Sequence, residues 1–206
     1  MLAPPHTRDG LGYLLEAEGL KAGAELGVQR GQFARLTLDR WPSCTQYILV
    51  DVWKQQENYV EGANVDNNQQ EEIYQAAIAA VEPHKAKVKV MRMFTNEAAL
   101  QVAIESLDYV YVDARHDYCG CLEDMEMWWP KLKPGAIMAG HDYLNVAEQK
   151  EVTPDEDWGI CMDGSRNEGA VKGAVANFAQ RYGLTVAVTY AEGHPFRTWL
   201  LRKPKC

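Results

Sequence analysis

The sequence predicts an α/β fold, a doubly wound and mostly parallel sheet of seven strands with helices on both faces. Three observations carry this. Short runs of β-forming residues alternate with helical patterns along the chain. Two glycines, Gly27 and Gly31, stand where the first strand should turn into a helix. The last two apolar runs are separated only by AEGHPF, so they should pair antiparallel at or near one edge.

Taken in order, AGAELGV (22–28) reads as a strand and RGQFARLTLDRW (30–41) as the helix after it. QYILVDVW (46–53) is a run of β-formers and reads as a buried strand. NNQQEEIYQAAIAAVEPH (67–84) reads as a helix with Ile73, Ala77, Ala80 and Val81 on one face, stopped by Pro83. KVKVMRMF (87–94) alternates as a strand does, and NEAALQVAIESL (96–107) returns to a helical pattern. DYVYVDA (108–114) is a strand, CLEDMEMWWPKL (121–132) a helix and GAIMAGHDY (135–143) a strand. After a polar interval come a helix, GAVKGAVANFAQRYG (169–183), and the strands LTVAVTY (184–190) and RTWLLRK (197–203). With no repeat, no low-complexity tract and no linker, residues 1–206 read as one domain. Residues 143–167 are too long for an ordinary connection and read as a lid or substrate loop, with Tyr143, Trp158 and Arg166 as candidates to touch a ligand; a mobile acidic surface loop is the alternative.

Composition excludes several classes. The 206 residues are 47% hydrophobic and 24% charged, ordinary for a globular domain. No apolar run approaches the roughly 20 residues that span a bilayer, and the opening MLAPPHTRDG shows no secretory pattern. A net charge of −8 with no long basic run makes nucleic acid a poor partner. Cys44, Cys119, Cys121, Cys161 and Cys206 are scattered with no second pair at zinc-finger spacing, so reduced thiols in a cytoplasmic protein are expected.

In such a sheet, ligands bind at the carboxyl ends of the strands. The first turn there is Glu25-x-Gly27-x-x-x-Gly31, not G-x-G-x-x-G. An acid at this turn opposes a pyrophosphate and suits a cationic or amino-bearing ligand. Asp51 ends the second strand, where a carboxylate can accept hydrogen bonds from ribose hydroxyls. Asp113 and the pair His141–Asp142 end two strands expected to be neighbours, so their side chains can converge. His116, three residues after Asp113, can serve as a general base or cap the helix beginning near Asp117. Trp128–Trp129 reads as core or as a contact with a second copy of the chain; His6, His84 and His194 carry no functional expectation.

AELGVQRGQF followed by LVDVW resembles motifs I and II of class I S-adenosylmethionine-dependent methyltransferases. FTNEAA and LDYVYVDARHDYCGCLEDMEMWWPKLKPGAIMAGHDY are similar to the small-molecule group that includes cephalosporin-hydroxylase-like and catechol-O-methyltransferase-like enzymes. The resemblance covers roughly residues 8–202. It implies a Rossmann-like fold and S-adenosylmethionine as cofactor, with Glu25 and Gly27 facing its amino acid moiety and Gly31 letting the next helix pack closely. Asp51 would take the ribose hydroxyls, Val52 or Trp53 would flank the adenine, and Phe94 and Thr95 would line its pocket. Asp113 would serve both donor and acceptor sides, and His116 would take the position of a catalytic lysine. Asp113, His141 and Asp142 would be the metal set. His141 departs from the usual acid, so the metal stands open: hard oxygen ligands suit Mg²⁺ or Ca²⁺, and a ligating imidazole tilts the choice to Mn²⁺, Fe²⁺ or Zn²⁺. The implied activity is methyl transfer to a small-molecule acceptor, most naturally a hydroxyl, with no nucleic acid or membrane partner and a homodimer as an open option. Two alternatives remain at this point: a non-catalytic scaffold on the same fold, and a nicotinamide-dependent oxidoreductase.

Overall fold

The computed structural model describes residues 3–205. One short helix, α1 (Leu11–Ala17), precedes the alternating series. Then follow β1 (Ala22–Leu26), α2 (Gln32–Arg40), β2 (Gln46–Asp51), α3 (Asn67–Val81), β3 (Val88–Arg92), α4 (Thr95–Ala99) and β4 (Leu107–Val112). α5 (Tyr118–Trp128), β5 (Leu132–Gly140), α6 (Val146–Val152), α7 (Ala170–Tyr182), β6 (Ala187–Val188) and β7 (Trp199–Arg202) complete it. The seven strands lie in the order β3-β2-β1-β4-β5-β7-β6. β1 to β5 are parallel, and β7 enters antiparallel between β5 and β6, as the helix-free connection predicts.

The period-two alternation of the strands sorts side chains onto two cores. Ala24, Leu26, Ile48, Val50, Val110 and Val112 face α4, α5 and α7, where Met125, Trp128, Val175 and Phe178 pack against them. Tyr47, Leu49, Tyr109 and Tyr111 face the other way, onto Leu15, Phe33, Leu38, Ile73 and Ala77 of α1, α2 and α3. Trp128 and Trp129 are buried in the first of these cores, Trp129 edge-on to Phe178, which settles the tandem tryptophans as core. The helix starts are fixed locally. Asp66 accepts from the N–H groups of Asn68 and Gln69, and Asp117 from that of Gly120.

Three stretches differ from expectation. The helical pattern of 96–107 yields only α4, because Leu100 (78% exposed) and Ile104 (62%) find no core to cover. The strand expected over 184–190 contracts to Ala187–Val188 at the sheet edge. The interval 143–167 contains α6, started by a capping box in which Asn145 and Glu148 exchange side chain-to-backbone bonds. The rest of it is tied down by antiparallel bridges, Val60 to Asp157 and Ile160 to Arg166.

The cysteines correct the sequence reading most clearly. Cys119 and Cys161 form a disulfide across 42 residues, joining the first turn of α5 to the segment after α6. Tertiary packing, not spacing, brings them together, and the adjacent Cys121 that made C-G-C notable is buried and free. Cys44 is likewise a buried thiol, and burial pushes its pKa up to about 11, that of an inert core group. Cys206 lies outside the described residues.

Candidate active site

The carboxyl ends of β1, β2, β3 and β4 open into a cleft of about 790 Å³. Glu25, Gly27, Asp51, Val52, Phe94, Thr95, Asp113, His116, His141 and Asp142 all line it, whereas Gly31 and Trp53 do not.

Asp51 is the keystone of the turns at one side of the cleft. Its Oδ2 accepts from the N–H groups of Val28 (2.9 Å) and Gln29 (3.0 Å), and its Oδ1 from that of Trp53 (2.8 Å). One carboxylate thereby fixes the turns after β1 and β2, in which Gln29 (φ 49°) and Trp53 (φ 41°) are both left-handed. Burial raises the Asp51 pKa, and the N–H donors of Trp53, Gln29 and Val28 offset only part of that rise. The Trp53 indole donates to the Gln29 carbonyl at 2.9 Å and meets the Tyr74 ring at 4.9 Å. Trp53 therefore clamps the two turns from behind and does not flank the cleft, while Val52 does line it.

The glycines answer first to packing. A Cβ on Gly27 (φ 80°) would lie 1.9 Å from the Asp113 carbonyl, and one on Gly31 (φ 71°) 3.0 Å from the Ala77 carbonyl on α3. Glu25 is buried and points to the tyrosine face of the sheet, where the Tyr47 hydroxyl donates to it at 3.0 Å. Burial pushes its pKa well above the ordinary value, and the Tyr47 hydroxyl offsets part of that rise.

At the other end, Phe94 and Thr95 begin α4, and Asp124 of α5 lies against Thr95. Burial raises the Asp124 carboxyl to about 7. Asp124 was not foreseen, though a carboxylate in the helical pattern between Cys121 and Met125 was a legible signal.

Past the ends of β4 and β5 lies an acid–imidazole cluster. His116 Nε2 lies 3.0 Å from Asp142 Oδ2 and 3.4 Å from Asp113 Oδ1, and its Nδ1 lies 2.8 Å from Glu61 Oε2. Asp142 adopts a left-handed φ of 57°, which turns the chain sharply after β5. Burial alone would lower the His116 pKa, but Glu61, Tyr59 and Asp142 outweigh it and hold it well above ordinary imidazole. Asp142 is held far below the carboxylate range, its burial overcome by His116 and His141. Together they form a buried ion pair.

Asp113, His116 and Asp142 bring three ligand atoms within 4.8 Å of one another. His141, expected in the metal set, falls outside this group. Its Nδ1 is engaged by Asp142 Oδ1 at 2.9 Å, and its Nε2 is buried without a partner. His116 takes the place expected for His141 because Asp142, after its left-handed turn, faces β4's end.

Sequence reasoning missed Glu61, Tyr59, Phe196 and Arg8, all of which line the cleft. Glu61 and Tyr59 sit in an irregular stretch after β2 with no pattern to reveal them. From the interval 143–167, Trp158 lines the cleft and lies over the His116 ring at 4.7 Å, whereas Tyr143 and Arg166 do not line it; Arg166 pairs with Asp157. Arg115 is committed to structure: its Nε donates to Asp117 at 2.6 Å and its guanidinium lies over Tyr59.

A family described as "Methyltransferase domain" matches residues 24–143. That is more than half of the chain, and the chain belongs to this family. Among solved structures, a Staphylococcus aureus protein provisionally assigned as a caffeoyl-CoA O-methyltransferase is 12% identical, with 98% of this chain and 85% of that one covered at a TM-score of 0.66. The O-methyltransferase from Bacillus cereus in complex with SAH is 16% identical over 98% and 83%, at 0.62. TomG, an O-methyltransferase from Streptomyces achromogenes involved in tomaymycin synthesis and solved in complex with SAM, is 15% identical over 98% and 82%, at 0.62. At these identities the likeness is one of fold, and it identifies the sheet order as the Rossmann-like methyltransferase fold. A curated relative, the uncharacterised protein y4gI of Sinorhizobium fredii, is 30% identical over 98 residues, and the match spans about half of this chain and 10% of that protein's length. No helix among the described residues is long and apolar enough to cross a membrane.

Proposed function

We propose that this chain is a single methyltransferase domain that transfers the methyl group of S-adenosylmethionine to a hydroxyl of a small-molecule acceptor. The observation that carries the reading is the state of the first turn. In a dinucleotide-binding fold the N–H groups at this position face a pyrophosphate. Here those of Val28 and Gln29 are spent on Asp51. With acids around it as well, the turn suits a sulfonium and an amino acid, not phosphates. The cleft volume lies within the range of cofactor sites. Asp51 keeps lone-pair capacity for a ribose hydroxyl beyond its three N–H donors, Val52, Phe94 and Thr95 offer walls to an adenine, and Gly27 and Asp113 face the methionine end. Glu25, being buried, supports the turn from beneath.

The donor set of the second cluster fits a cation. With its Nδ1–H on Glu61, a neutral His116 would aim the Nε2 lone pair at two carboxylates, so this arrangement calls for a proton or a divalent ion at that point. Asp113, His116 and Asp142 would hold the ion, and one imidazole with two carboxylates suits Mn²⁺, Fe²⁺ or Zn²⁺ better than Mg²⁺. Bound there, it would lower the pKa of an acceptor hydroxyl and orient it. Glu61 would fix the His116 ring, and Trp158 would cover it from water. In the metal-free reading, His116 holds the proton instead and exchanges it with the acceptor.

Calorimetry with S-adenosylhomocysteine tests the assignment: saturable binding is expected, and no heat or thermal shift at millimolar ligand refutes it. Asp51→Asn should weaken that binding by about 1.5–3 kcal/mol, the scale of hydrogen bonds to a charged group. An unchanged affinity would put the ribose elsewhere.

A further inference from the structure

Of the cations lining the cleft, Arg115 is consumed by Asp117, Gln56 and Asn58, Lys54 follows β2 on the ribose side, and Arg30 is exposed on the first turn. Arg8 is different. It arrives from outside the matched family segment 24–143, on a strap fastened in place by backbone contacts. The His6 carbonyl accepts from the N–H groups of Tyr190 (3.2 Å) and Ala191 (2.9 Å), and the Arg8 N–H donates to Glu192 at 2.6 Å. So anchored, the guanidinium lies 5.1 Å from the centre of the Phe33 ring, next to the Tyr111 hydroxyl. Asp113 Oδ2 is its charged partner, and at 3.7 Å that contact is long. A guanidinium carries five N–H donors in a planar fork matched to carboxylates, and these contacts leave most of them unfilled. The side chain is 31% exposed, enough to meet a ligand in the cleft.

The strand order says what that ligand group is, on the function proposed above. Asp51 ends β2, and Phe94 and Thr95 follow β3, so ribose and adenine occupy the β2–β3 side. The remaining part of the cofactor must extend over β1 and β4, where Gly27, Asp113 and Arg8 lie. That part ends in a zwitterion. Acids are plentiful there for its ammonium, and among the described residues Arg8 is the one partly buried arginine or lysine left for its carboxylate. We propose that Arg8 is the receptor for the methionine carboxylate, supplied by the N-terminal strap. The Phe33 ring beneath it holds the guanidinium plane in place through a cation–π contact.

Calorimetry on the full chain separates this from a general electrostatic or structural role. The two ligands are S-adenosylhomocysteine and its analogue lacking only the carboxylate, S-adenosyl-3-thiopropylamine. Wild-type protein should prefer the former. Arg8→Gln should weaken S-adenosylhomocysteine about 10–100-fold, the scale of a charged hydrogen-bonded pair, and leave the analogue within about twofold. Arg8→Lys should recover part of the loss. Circular dichroism and melting temperature confirm that the variants fold, and the wild-type preference between the two ligands stands as a test independent of any variant. Equal weakening of both ligands, an unchanged S-adenosylhomocysteine affinity, or a change confined to the acceptor KM would each overturn the role. Wild-type protein that binds neither ligand overturns the function proposed above, and this inference with it, before any substitution is compared.

Discussion

Single residues in this cleft hold their charge states through burial, and two of them make predictions. Asp124 has a folded-state pKa of about 7 against an ordinary value of 3.8. Folding therefore takes up a proton between those values, so this group's contribution to stability is intact below about pH 4 and is lost as pH rises toward 7. Asp124→Asn removes the titration. It should be more stable than wild type above pH 7, by on the order of 2–4 kcal/mol, and the two should converge near pH 4. Denaturant unfolding at pH 4, 5.5 and 7.5 checks this, and a pH-independent difference refutes it. The cluster at His116 makes the other prediction. With Asp113 and Asp142 as co-ligands, excess chelator should abolish methyl transfer and leave S-adenosylhomocysteine binding nearly intact, because Asp51 and its turn lie apart from the cluster. His116→Ala should lower kcat by roughly 10²–10⁴-fold with little change in cofactor affinity. Full activity in chelator would remove the metal and keep His116 as the proton handler. An unaffected His116→Ala enzyme would leave alignment alone to explain the rate.

Among the elements, those whose patterns are sealed between two cores were legible. The runs over 46–53 and 108–114 are apolar because both their faces are covered, and no competing signal intrudes. The misread stretches are those where local pattern and tertiary context disagree. Residues 96–107 carry a good helical period, yet Leu100 and Ile104 face solvent, so propensity had no burial to reinforce it. The interval 143–167 gave only its length as a clue, and its order comes from distant partners: Val60, α5 and the disulfide. In the chain-entropy picture, a cross-link over 42 residues restricts the unfolded state by about 4 kcal/mol. Replacing Cys119 and Cys161 together by serine should lower the melting temperature and open the 153–167 segment to limited proteolysis, with the sheet still protected. Unaltered stability and nicking would mean that Trp158 and the Val60 bridge hold the segment without the covalent link.

At the scale of the whole molecule, sheet topology was the most legible property and the assembled site the least. Strand ends could be located from sequence, so Asp51, Asp113 and Asp142 could be set on one rim. Which imidazole would join them depended on the turn at Asp142, and no linear pattern encodes a single left-handed residue. Arg8 and Glu61 reach the site from segments outside the strand–helix rhythm, where sequence order says nothing about proximity. The balance of the rim also bears on turnover. Acids outnumber bases among the residues lining the cleft, Asp51, Glu61, Asp113, Glu123, Asp142 and Glu156 among them. On the proposed function, a donor that arrives with a sulfonium would leave as a neutral thioether, so each cycle would discharge the ligand inside an anionic enclosure. Attraction that aids entry vanishes once the methyl group has gone, and expulsion of the spent nucleoside follows from the same field that captured its precursor. Raising ionic strength from 20 to 500 mM (a choice of conditions set by Debye lengths of roughly 20 Å and 4 Å) should accordingly erode the affinity for S-adenosylmethionine while sparing that for S-adenosylhomocysteine, so that product inhibition becomes more severe at high salt.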